Sequence, residues 1–191
     1  MFDRGAGGRG LIIMRNFGAI CTALTLGAGA LAFGLTLHAA PAQIDPHSVM
    51  SDPAQARSDY IEHCGGCHGI RGDTVPAHLP ELEGRVGWFM CTPEARAYLI
   101  RLPNVAHSRI MDNAELADMM NYVVFVLGKG TAPVGTAPFT ADEVARERKL
   151  ALTNKNLTAE RLRLANQLVQ QCHAPASIRQ LYITEKPGTA Q

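Results

Sequence analysis

The sequence predicts an all-α protein, and two observations carry that expectation. Helix starts recur: Thr92-Pro93-Glu94, Asp112-Asn113-Ala114-Glu115 and Thr140-Ala141-Asp142-Glu143 each place a capping oxygen before a helix and an acid in its first turn. Apolar residues then return every three or four positions, as in Leu116, Met120, Val123 and Leu127, or Leu162, Ala165, Leu168, Val169 and Cys172. At 191 residues the chain fits one domain with appendages, or two small units. With 47% hydrophobic and 18% charged residues and a net charge of +1, it is neither disordered, nor a polybasic nucleic-acid binder, nor a multi-span membrane protein. Aromatic residues at 6% also argue against a platform on which single-stranded bases would stack, so no nucleic-acid partner is expected.

Taken in order, residues 1–42 read as an export signal. Phe17 to Leu37 carry no charge, follow Arg15, and lead to Ala40-Pro41-Ala42, a small-x-small pattern with cleavage expected after Ala42. Met14 is an alternative start, because Met1 to Ile13 add nothing to the signal. The competing reading is an uncleaved anchor, and only then is a membrane contact expected. Richness in Gly and Ala makes the run only mildly apolar, which favours cleavage. Residues 43–51 form a short extension. Export to a bacterial periplasm would place Cys64, Cys67, Cys91 and Cys172 in an oxidising compartment.

Ala54 to His63 reads as helical and delivers Cys64-Gly65-Gly66-Cys67-His68. Two thiols three residues apart with a histidine directly after the second are the covalent haem-attachment pattern: on one turn both sulfurs reach the vinyl groups while the imidazole rises beneath the iron. A plain disulfide, a thioredoxin-like pair and half a zinc site are the other readings of two close cysteines. Zinc would want a better second pair than Cys172-His173, and a thioredoxin-like pair would want a strand before it.

From here the chain resembles a class I c-type cytochrome over about residues 52–128. Tyr60 in Ser58-Asp59-Tyr60-Ile61-Glu62-His63-Cys64 matches the aromatic residue that precedes the first haem cysteine, and Gly69-Ile70-Arg71-Gly72 matches the Gly-x-x-Gly after the histidine. Pro80-Glu81-Leu82-Glu83-Gly84 matches the Pro-x-Leu-x-Gly segment, whose proline carbonyl accepts the other ring proton of the haem histidine; Pro76 is the alternative carrier. The resemblance implies a cytochrome c-like helical fold, one covalently bound haem c with its iron, and His68 as proximal ligand. Thr92 starts a short helix to about Leu102, and Asn113 to Leu127 resembles the closing helix, with Tyr122 crossing the first helix near Tyr60.

The pattern departs at the sixth ligand. The loop before the closing helix reads Leu102-Pro103-Asn104-Val105-Ala106-His107-Ser108-Arg109-Ile110-Met111, with no Met-Pro pair. His107 lies mid-loop, near the expected donor position, and is otherwise a solvated loop histidine. Met111 directly precedes the Asp112 cap, where a core residue usually staples the helix start, and burial without iron is the competing role. An open or water-bound site and Met90 are the remaining alternatives, while Met119 and Met120 read as core.

Residues 129–139 form a Pro-rich linker, Thr131-Ala132-Pro133-Val134-Gly135-Thr136-Ala137-Pro138 at its centre, and residues 140–191 a helical appendage. One helix is capped by Thr140 and runs to about Leu152; a second begins at Thr158-Ala159-Glu160. Residues 52–128 hold 6 Arg/Lys against 10 Asp/Glu, whereas residues 129–191 hold 9 against 5, so the basic appendage has an acidic surface to dock on, or is simply a solvated helix pair. Cys91 and Cys172 are unassigned by the haem motif; they either join in a disulfide or are buried small hydrophobes.

These readings imply an electron carrier of the periplasm, or the cytochrome subunit of a dehydrogenase, with a dehydrogenase or oxidase as redox partner and no catalytic residues of its own. A ligand-binding or peroxidase-like haem protein is the enzyme alternative and needs an open iron and a distal group such as His107. A haem-based sensor is the third class.

Overall fold

Local capping chemistry sets where the helices begin. Asp52 accepts hydrogen bonds from the Ala54 and Gln55 amides and Pro53 fills the first helical position, so α1 spans Pro53–His63. After Cys64 the chain makes one further turn, α2, Gly65–His68. A 3-10 stretch at Val86–Cys91 leads to α3, Pro93–Arg101, whose cap is the Thr92 hydroxyl accepting from the Ala95 amide at 3.2 Å. A single turn, α4, Pro103–Ala106, precedes α5, Asn113–Asn121, capped by the Asp112 carboxylate and prolonged by a π-helical turn over Tyr122–Leu127. In the tail, α6 covers Ala141–Glu147 and α7 Leu157–Cys172. The computed structural model describes residues 45–73, 79–153 and 155–181; the expected export segment with its cleavage site, and Pro76, lie outside the described residues. No strand occurs among the described residues, and the protein is all-α.

The core is organised on α5, against which α1 and α6 pack. Tyr60 of α1 is fully buried, and its ring centroid lies 5.6 Å from that of Tyr122. Asp118 of α5 accepts from the Ser51 amide and hydroxyl, tying the start of α1 to the same helix. Asn121 joins distant segments: its Oδ1 accepts from the Phe139 amide at 2.7 Å, and its Nδ2 donates to the Phe139 carbonyl at 3.1 Å and the Val49 carbonyl at 3.3 Å. Because Asn121 and Phe139 are both buried, Asn121→Ala would strand main-chain groups away from water. The expected cost is about 2–4 kcal/mol, read as a fall in the denaturant midpoint at unchanged slope.

The Pro-rich segment lies on this core. The chain at Thr131 and Ala132 passes so close to Gly87 that a Cβ there would come within 2.5 Å of the Ala132 nitrogen. Phe139 is buried beneath the Arg96 guanidinium, 4.3 Å from its ring centroid, and Arg96 also donates to the Ala137 and Pro138 carbonyls. All described residues belong to one compact unit, 39–191. The tail is held by ion pairs of both polarities. Arg163 of α7 meets Glu94 of α3, but Arg96 and Arg101 of α3 meet Glu143 and Glu147 of α6. Net charge therefore conceals a mixed interface.

Two expectations of register are corrected. Met111 is 79% exposed, and Ile110 takes the buried place beside the Asp112 cap. The cause is Arg148, just after α6, whose guanidinium donates to the Ala106, Ser108 and Ile110 carbonyls and to Asn113 Oδ1, fixing the loop with Ile110 inward. On α7 the cap is Asn156, not Thr158, and the inner face is Arg161, Leu164, Ala165 and Leu168, while Leu162 is 44% exposed. An arginine on the inner face disguises the true stripe.

Candidate functional site

The attachment motif turns into a cavity of about 350 Å³, within the 300–1,000 Å³ of cofactor sites. Tyr60, Cys64, Cys67, His68 and Pro80 all line it. Cys64 and the turn Gly65–His68 that follows it carry the thiols and the imidazole on one short arc, with Cys67 exposed and Cys64 less so. Gly72 then brings the following loop back: its carbonyl accepts from the Leu82 and Glu83 amides, and its backbone sits at φ +77° with Leu82 pressed against it, where a Cβ would crowd both. That return places the Pro80 carbonyl oxygen 3.0 Å from His68 Nδ1.

A carbonyl can only accept, so Nδ1 carries the ring proton and Nε2 keeps a free lone pair. Burial holds the His68 pKa below its ordinary value, with the Pro80 bond opposing. Burial thus favours the neutral imidazole, the form a metal ligand must take. The Tyr60 hydroxyl donates to the Gly69 carbonyl at 2.6 Å, pinning the end of the same turn, and burial pushes its phenol well above the ordinary range. Burial, with Cys67 adding, pushes the Cys64 thiol up to about 11. A thioredoxin-like nucleophile needs the opposite shift, and that reading loses its support.

Much of the rest of the wall is apolar: Leu82, Val86, Phe89, Leu99, Leu102 and Val123 contribute, together with Met119 and Met120 of α5. Leu102, Pro103, Asn104, Val105 and Ser108 supply the side formed by the loop before α5. The three other sulfur and imidazole candidates lie apart from that lining. His107 faces solvent, Met111 is exposed, and Met90 is buried beside Arg96.

Sequence reasoning missed two contributions to the site and left a third, the Cys91–Cys172 bridge, open. Arg85 lines the cavity from the segment after Gly84, and Arg161, Leu157 and Thr158 line it from α7, as does Leu181 beyond it. Cys91 and Cys172 are joined in a disulfide with their Cα atoms 6.3 Å apart, which clamps the end of α7 to the Val86–Cys91 stretch. The signal for Arg161 is present in the sequence, since a lone arginine interrupts what is otherwise an apolar helical face.

A haem fits this cavity on its own chemistry. Paired thiols and a tautomer-fixed imidazole line it together with many apolar side chains, and the buried guanidinium of Arg85 adds donors without a partner. The chain is 28% identical over 118 residues to cytochrome c-552 of Thermus thermophilus, a match covering 53% of this chain and 90% of that protein. It is likewise 28% identical to the cytochrome c-552 of a particular strain of the same organism, over 53% of this chain and 80% of the relative. No family model and no solved structure matches. This similarity supports a c-type cytochrome.

Proposed function

We propose that the chain is an exported monohaem c-type cytochrome of class I that passes single electrons between protein partners. The observation that carries the reading is the convergence of Cys64, Cys67 and His68 on one apolar cavity with the Pro80 carbonyl on His68 Nδ1. Haem bound there supplies a one-electron iron couple. Everything else belongs to the chain. Cys64 and Cys67 would hold the haem by thioether bonds, each thiol adding across a vinyl group with no oxidant needed. His68 would supply Nε2 as the iron ligand, and the Pro80 carbonyl, by holding Nδ1–H, keeps the ring plane fixed and would raise its basicity. The apolar walls exclude water and keep reorganisation small when charge changes. Periplasmic location, with a dehydrogenase or oxidase as partner, follows from the export signal and the carrier role.

For the sixth position, Met119 and Met120 are the thioethers that line the cavity among the described residues, and the carrier reading takes one of them as the distal donor. The placement of His107 and Met111 outside the lining favours a second reading, a haem protein with an exchangeable sixth position. Optical spectra of the oxidised holoprotein, and of the reduced holoprotein with and without carbon monoxide, separate the two. The carrier refuses the gas and shows a thioether charge-transfer band in the near infrared that Met119→Leu or Met120→Leu abolishes. Rapid binding, with no such band, would replace the carrier by the ligand-binding reading.

A further inference from the structure

Arg85 and Arg161 are both about 5% exposed, and both line the cavity from elements more than seventy residues apart in sequence. Arg85 Nη2 donates to the Ser177 and Gln180 carbonyls at 2.7 and 2.6 Å, and Arg161 Nη2 reaches the Gln180 carbonyl at 3.3 Å. Carbonyls carry only partial charge, so these bonds do not neutralise the pair. Two donors of Arg85, Nε and Nη1, are buried without a partner. Burial first, and then the Arg85 guanidinium, lower the proton affinity of Arg161, which is pushed down to about 10. Glu81 beside Arg85 offsets one charge, which among the described residues leaves one positive charge in excess in a buried place. Such an excess is costly unless an anion joins it.

We propose that Arg161, carried by the tail helix α7, completes with Arg85 a carboxylate subsite that receives a propionate of the bound haem, so the tail is a wall of the haem site. This rests on the haem reading above, which supplies an amphiphile with an apolar ring and two carboxylates. The Cys91–Cys172 disulfide and the Glu94–Arg163 pair hold α7 in place, and the Phe89 ring, 5.7 Å from the Arg161 guanidinium, fixes the direction of the side chain. Besides Arg85 and Glu81, Tyr98 of α3 faces Arg161, Glu160 turns outward to Arg163, and His63 lines the cavity from α1. A bidentate guanidinium holds a carboxylate ionised far below its ordinary range.

The test uses the matured holoprotein, with covalent haem verified first by the pyridine haemochrome; absence of haem at that step would refute the haem reading and this proposal with it, whereas the outcomes below overturn this proposal alone. The reduction potential is then followed from pH 5 to pH 8 in the wild type, Arg161→Met, Arg161→Gln and Arg161→Lys. Loss of the charge lets the propionate titrate in this window, more readily in the reduced protein, so the potential of the Met and Gln variants falls with rising pH beyond any drift in the wild type. Lys restores the wild-type profile, and the slope persists when Glu81→Gln is added. Superimposable profiles in haem-loaded Arg161→Met or Arg161→Gln, or a slope that vanishes with Glu81→Gln, would overturn the proposal. So would a wild-type potential that depends on added acetate, because the pair would then be taking a free carboxylate and not the haem's own.

Discussion

His68→Ala is expected to convert the holoprotein from a nitrogen-ligated to a ligand-deficient haem spectrum, with the thioether bonds at Cys64 and Cys67 intact. His68 is the imidazole on the motif turn, and the Pro80 carbonyl already commits its Nδ1 proton, leaving Nε2 as the donor. Added imidazole should enter the vacated volume and restore most of the original spectrum. Pro80→Ala is a useful companion. The accepting group is a main-chain carbonyl, so the variant is expected to keep ligation and to weaken it only through loop flexibility, well short of the 10–100-fold that loss of an outer-sphere partner usually costs. An unchanged spectrum in His68→Ala would remove His68 from the iron.

The second large effect concerns the tail. Breaking the Cys91–Cys172 bridge, by Cys172→Ser or by mild reduction, releases a constraint on 81 residues of chain. On the chain-entropy account this costs about 4–5 kcal/mol. For a unit of this size that is a fall in Tm of roughly 10–20 °C. Because Arg161, Leu157 and Thr158 leave with α7, the same variant should expose the haem edge and raise the rate of small-molecule reduction. Calorimetry on the oxidised and reduced wild type provides the measurement. Equal unfolding temperatures, or two reactive thiols per chain in the denatured, unreduced protein, would mean the bridge does not form.

The parts legible in the sequence are those that local chemistry decides. Thr92, Asp112 and Thr140 cap their helices through oxygens that reach amides two or three residues on, and no tertiary contact is needed to see it. The haem motif is legible for the same reason, since its chemistry lies within five residues. What stays hidden depends on partners far along the chain. Ile110, not Met111, turns inward because Arg148 holds its carbonyl. Periodicity assigns the apolar face of α7 through Leu162, whereas Arg161 and Leu164 face the core. A charged side chain on an inner face reads as solvent-facing unless its cavity is already known. The disulfide stays open at the level of sequence, because whether two α-carbons approach within bonding range is a tertiary fact.

The central claim is that Cys64 and Cys67 hold one haem covalently, and the intact mass of the chain matured by the haem-attachment machinery of a bacterial periplasm tests it most directly. The account predicts a mass raised by one haem, peroxidase staining that follows the band through a denaturing gel, and loss of both in Cys64→Ser/Cys67→Ser. A chain at its bare polypeptide mass, unstained and with Cys64 and Cys67 recovered as free thiols or as a disulfide, would contradict it.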